Sequence, residues 1–258
     1  MLIRNPCSST KMDPLTAKTA QDGHHLKGGV HLTLAEKTAQ VAQILEEVMG
    51  IPPRDNPPPP LETLILTILS QNTNDRNRDT AYQRLRRQFP TWEEVMNADV
   101  RDIADAIRPA GLGNQKSRRI QDILRWIEAR YGKLNLDGIC ALDPQAVMET
   151  FCQLKGIGVK TISVVLMFSC GVDIFPVDTH VHRLCKRLGL VPPNTTAPEK
   201  TFALMQARVP QGKAFSLHIN LITHGRTICK ARQPLCARCS LTTVCDYYVL
   251  NLCSAKCV

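Results

Sequence analysis

At 258 residues, 43% of them hydrophobic, the chain is long enough to bury a core and suits one or two domains, which excludes disorder throughout. Lysine and arginine exceed the acids by nine, so a polyanion is a natural partner, with helices carrying solvated basic faces as the alternative. The longest apolar stretch, near Leu61–Leu69, is broken by Glu62, Thr63 and Thr67 and is too short and too polar for a membrane span.

The opening residues, MLIRNPCSSTKMDPL, lack the apolar core of a secretory signal, and residues 1–30 are expected to form a disordered tail. Thr33-Leu-Ala-Glu36 reads as a capping box opening a helix that stops near Gly50 and Pro52. Prolines 57–60 form a stiff linker, and Pro60 suits the first position of the next helix, about Leu61–Ser70, apolar nearly all round and therefore central. Asn74 caps a basic helix running to Phe89-Pro90, and Thr91-Trp-Glu-Glu94 is a second capping box. A helix over about Gln115–Tyr131 ends at Gly132, and Asp143-Pro144 opens another. Later helices fit Thr179–Leu188, Pro198–Arg208 and Lys213–Thr227. With no convincing strand and no fixed-period repeat, the pattern predicts an all-α fold of many helices joined by short loops.

The segment LKGIGVKTISVV, Leu154–Val165, places Gly156 and Gly158 around a tight turn and Lys160 at the start of an apolar helix. The spacing fits a helix–hairpin–helix in which two glycines permit the reversal and N–H groups at a helix N-terminus face a phosphate. A lysine in the first turn meets the positive end of the helix dipole, and Ile157, Val159 and Val164 would desolvate it in the same direction. An amine pushed toward neutrality is a nucleophile able to form a Schiff base; a lysine that snorkels outward or binds phosphate is the alternative. Asp178, in FPVDTH, suits the N-cap of the helix beginning at Thr179. From Lys160 to Cys170 a helix rises about 15 Å. The eight steps on to Asp178 span at most about 28 Å, so the chain can bring Asp178 back beside Lys160.

CKARQPLCARCSLTTVC sets Cys229, Cys236, Cys239 and Cys245 within one short stretch, enough to surround a metal centre, with zinc and an iron–sulfur cluster both allowed by spacing. Cys140, Cys152, Cys170 and Cys185 read most simply as small buried hydrophobes, and Cys253 and Cys257 as part of a frayed tail. Eleven cysteines without a secretory signal point away from a disulfide framework and toward an intracellular, reducing compartment.

The cysteine spacing, with His224-Gly225-Arg226 before it, resembles the loop that closes the endonuclease III family of DNA glycosylases; LKGIGVKT and VDTH resemble the lysine hairpin and aspartate loop of the wider helix–hairpin–helix superfamily. The resemblance implies a [4Fe–4S] cluster on the four cysteines, with Lys230 and Arg232 of the intervening loop touching DNA phosphates. It implies Lys160 as the Schiff-base lysine and Asp178 as the catalytic aspartate. LSQNTND maps an inserting glutamine onto Gln71, and AGLGNQK maps a wedge onto Leu112; a helix-terminal polar residue and a loop anchor are the alternatives. The implied architecture is a six-helix barrel over residues 56–172 and a cluster lobe of residues 31–55 plus 173–258, with DNA in the cleft between them. The implied protein is a monomeric base excision repair glycosylase and abasic-site lyase that acts on oxidised pyrimidines in double-stranded DNA. A DNA-binding paralogue without excision, or a glycosylase for mismatched thymine, uracil or 5-methylcytosine, is the alternative, since QNTND and FPVDTHVHRL also resemble plant 5-methylcytosine glycosylases.

Overall fold

A computed structural model describes residues 32–253; the expected tail at 1–30, and Cys257, lie outside the described residues, as does the Cys253 side chain. No β-strand occurs among the described residues, and the fold is all-α. The described residues divide into two compact units, one of residues 55–172 and the other joining residues 32–54 to residues 173–253.

Helix α1 (Leu34–Met49) opens on the expected capping box: the Thr33 side chain accepts from the Glu36 N–H while Glu36 reaches back to the Thr33 N–H. Its apolar face, Val41, Ala42 and Leu45, is buried against residues far along the chain, so it belongs to the discontinuous unit described below.

The continuous unit begins with α2 (Pro60–Leu69), whose proline at N1 needs no hydrogen-bond acceptor. Leu61, Leu64, Ile65, Ile68 and Leu69 are all buried, as an all-round apolar helix must be. Around it lie α3 (Asp75–Gln88), α4 (Trp92–Asn97), α5 (Val100–Ala106), α6 (Gly113–Tyr131), α7 (Pro144–Phe151) and α8 (Val159–Ser169). α2 packs most closely on α8, and a Ser169–Thr63 hydroxyl bond of 2.8 Å joins their far ends. Gln121 of α6 donates to the Val95, Met96 and Ala98 carbonyls, satisfying the end of α4 with one buried amide.

One expectation fails in this unit. Cys140 and Cys170 are joined by a disulfide, with Cα atoms 4.8 Å apart, rather than buried as separate small hydrophobes. The 3-10 turn at Asp137–Ala141 returns to the C-cap of α8, a meeting that no local pattern announces. Cys185 is buried and unpaired, as expected.

In the discontinuous unit, α9 (Thr179–Leu188), α10 (Pro198–Gln206) and α11 (Ala214–Thr227) close on α1 around Phe175, Val181, Leu184, Leu217 and Leu221. Polar contacts fix the register of α1 on α11: Glu46 accepts from Ser216 Oγ at 2.6 Å and Lys213 Nζ at 2.7 Å, and Asn220 donates to the Gly50 carbonyl. Among the described residues no helix is long and apolar enough to cross a membrane.

Candidate functional site

Between α7 and α8 the chain reverses at Gly156, which has φ +88°. A Cβ there would lie 2.1 Å from Arg119 Nε, the far end of a side chain that can shift, so it is the left-handed backbone that calls for glycine. Gly158 differs from expectation. Its backbone is extended, and a Cβ would meet nothing within 4 Å, so the reversal does not require glycine at this position. What its bare backbone does is leave the mouth of α8 uncovered, where the first N–H groups lack helical acceptors and no side chain caps them.

Lys160 is the second residue of α8 and is half-buried, directly after Val159 and above buried Ile157. No acid stands in the first turn of α8, so the helix itself offers nothing to offset the positive end of its dipole.

Gln71 follows the end of α2, half-buried, and is engaged within its own unit. Arg119 of α6 donates to its Oε1 at 2.6 Å, and its Nε2 makes a longer contact, 3.4 Å, with the Gly156 carbonyl. The structure thus brings Gln71 and the hairpin together through an arginine that the sequence offered only as one cation among many. Leu112 is 52% exposed and precedes α6 in a left-handed conformation, φ +51°. Asn72, beside Gln71, has φ +56°. Asparagine adopts such a backbone readily, but for leucine it costs about 1–2 kcal/mol. Beneath both turns lies Lys116, 1% exposed, whose Nζ donates to the Leu69 and Ala110 carbonyls at 2.8 Å each. Its charge is therefore not part of the basic surface that the sequence suggested.

Asp178 belongs to the other unit, and there it is the N-cap of α9, accepting from the Val181 N–H at 2.7 Å. A carboxylate has room for this bond and for another on its second oxygen.

The four cysteines Cys229, Cys236, Cys239 and Cys245 follow α11, half-buried and free of disulfides. Burial raises the Cys239 thiol above its ordinary pKa, and the Cys229 and Cys236 charges add to the effect. Burial likewise pushes Cys245 up to about 11, with Cys239 and Cys229 acting in the same direction. Among the described residues no three Cys, His, Asp or Glu side chains close around a single metal ion. Two arginines back the loop. Arg187 donates to Cys229 Sγ at 3.3 Å and to the Lys230 and Ala231 carbonyls, and Arg183 donates to the Gly225 and Cys229 carbonyls. Arg183 Nε is buried without a hydrogen-bond acceptor among the described residues. Four unpaired thiols beside two guanidiniums, one with an N–H to spare, fit a group that binds as thiolates and carries net negative charge. Lys230 and Arg232 point outward from this loop, exposed.

Residues 65–211 match the HhH-GPD superfamily of base excision DNA repair proteins. A putative DNA glycosylase of Arabidopsis thaliana is 38% identical over 166 residues, 64% of this chain and 56% of that protein. The endonuclease III of Sulfolobus acidocaldarius is 35% identical over 193 residues, 74% of this chain and 83% of its own length. A solved structure of an endonuclease III trapped in a covalent intermediate with DNA superposes with a TM-score of 0.71 at 25% identity, covering 84% of this chain and 97% of that one. The chain belongs to the HhH-GPD superfamily and, within it, to the endonuclease III family of DNA glycosylases.

Proposed function

We propose that the chain is a bifunctional DNA glycosylase and abasic-site lyase that removes oxidised pyrimidines from double-stranded DNA. One observation carries the reading: Lys160 stands in the first turn of α8, with no acid in that turn and a bare glycine before it. The trapped covalent endonuclease III–DNA intermediate among similar structures supports a covalent protein–DNA step.

A base inside a duplex is out of reach, so the nucleotide must leave the stack while Gln71 and Leu112 fill the gap. The bare hairpin at Gly156 and Gly158 receives a backbone phosphate at the mouth of α8. Lys160 Nζ, as the neutral amine, bonds to C1′; the glycosidic bond breaks and the base departs with that electron pair, taking up a proton. The Asp178 charge steadies the positive charge developing on the sugar. The C1′–O4′ bond then opens as the nitrogen lone pair forms a C=N bond and O4′ takes up a proton, and the resulting imine acidifies the C2′ proton. Its loss expels the 3′ phosphate oxygen, nicking the strand, and water then releases the lysine. Cys229, Cys236, Cys239 and Cys245 would hold a [4Fe–4S] cluster, which would fix the loop that offers Lys230 and Arg232 to phosphates.

Borohydride reduction on abasic-site duplex tests the reading. A covalent adduct is expected with the intact chain and none with Lys160→Ala. Failure of the intact chain to form one would favour a DNA-binding protein without excision.

A further inference from the structure

Lys116 is a buried cation to which the proposed reaction gives no part. A charge out of water is costly unless its N–H groups are all engaged, and Lys116 engages the last turn of α2 and the 3-10 turn Arg108–Ala110. Both carbonyls lie at helix ends, where the backbone has no N–H left to offer them. The symmetry of the connection is informative. Leu69 precedes Gln71 by two residues, and Ala110 precedes Leu112 by two. The Lys116 backbone N–H also bonds the Leu112 carbonyl at 2.9 Å. Both turns then continue into left-handed, non-glycine conformations, at Asn72 and at Leu112.

We propose that Lys116 is a positioning residue for nucleotide flipping: its amine, shared between the Leu69 and Ala110 carbonyls, holds the turn presenting Gln71 and the turn presenting Leu112 at a fixed separation. This rests on the reading above that both side chains enter the duplex. Burial, with Arg119 nearby, lowers the Lys116 pKa to about 8, and the bridge tolerates this because a neutral amine still has two N–H groups for two carbonyls. Two wedges set apart by one rigid strut displace a base pair only at that spacing. Without the strut, each turn relaxes toward ordinary backbone and the pair of wedges loses register.

The test uses the full chain with cluster, in single turnover, on thymine glycol placed either in fully paired duplex or in an unpaired bubble that needs no flipping. Lys116→Met should slow excision from paired duplex about tenfold or more, yet leave the bubble substrate and borohydride trapping on abasic DNA within about threefold. In a Leu112→Ala background, where one wedge is already gone, adding Lys116→Met should change the paired rate by less than about threefold. A purely structural lysine predicts otherwise: equal losses on both substrates, or the full loss persisting in the Leu112→Ala background, either of which overturns the proposal. If Lys116→Met does not fold, as judged by circular dichroism, Lys116→Gln keeps two N–H groups on a side chain one bond shorter and must show the same split between substrates. An intact chain that neither excises nor traps would instead remove the enzymatic reading, an outcome distinct from any of these.

Discussion

At a helix N-cap a short acceptor holds the first N–H groups, and Asp178 does so for α9 at 2.7 Å from the Val181 nitrogen. Asparagine caps about as well as aspartate but carries no charge, so one substitution separates the two roles. Asp178→Asn should keep its stability within about 0.5 kcal/mol, whereas Asp178→Ala should lose about 1 kcal/mol with the cap. Both should lower base release by about 100-fold or more, because each removes the charge proposed to steady the sugar. Denaturant melts read beside single-turnover rates decide the matter, and wild-type excision by Asp178→Asn would leave Asp178 a cap and nothing more. Gly156 and Gly158 carry a similar lesson. Gly156 answers to a left-handed backbone, φ +88°, and Gly158 to a helix mouth that no side chain covers.

Helix boundaries were legible because they are local chemistry. Thr33, Asn74, Thr91, Asp143 and Asp178 each accept the N–H that a cap should accept, and Gly132 ends α6 in the left-handed conformation. α6 nevertheless starts at Gly113, two residues before the expected Gln115, because left-handed Leu112 supplies the break that no proline or Asp/Ser/Thr cap advertises. Contacts between elements were not legible. Nothing about Cys140 or Cys170 says that a 3-10 turn meets the end of α8, yet their bridge closes a loop with a sequence separation of 30. Closing such a loop removes unfolded-state entropy worth about 3–4 kcal/mol. The oxidised chain should therefore unfold at higher denaturant than the reduced chain, and Cys170→Ser should abolish the difference. Identical midpoints with and without reductant would mean that the two sulfurs are not joined in solution. The bridge bears on the proposed site because it secures the far end of α8, the helix that carries Lys160 in its first turn.

A formal charge of +9 counts cations without regard to where they are spent. Lys116 is buried, Arg183 and Arg187 bond the carbonyls of the cysteine loop, Arg78 pairs with Asp75 and Asp79, and Arg86 lies over Trp92. The cations left for a polyanion are fewer, and Lys230 and Arg232 stand exposed on the loop that Arg187 braces. Each phosphate contact releases about one counterion, so Lys230→Ala and Arg232→Ala should each reduce the slope of log affinity against log salt by about one. Contacts of this kind carry no sequence or lesion information, so both variants should weaken binding to damaged and undamaged duplex by the same factor. Arg187→Ala should behave differently. It leaves Cys229 Sγ and two carbonyls without their donor and should loosen the loop itself, which would lower thermal stability as well as affinity. Filter binding across a salt series, with melting measured on the same preparations, separates the two kinds of arginine. An unchanged slope for Lys230→Ala and Arg232→Ala alike would place the DNA backbone elsewhere and remove the cysteine loop from the proposed interface.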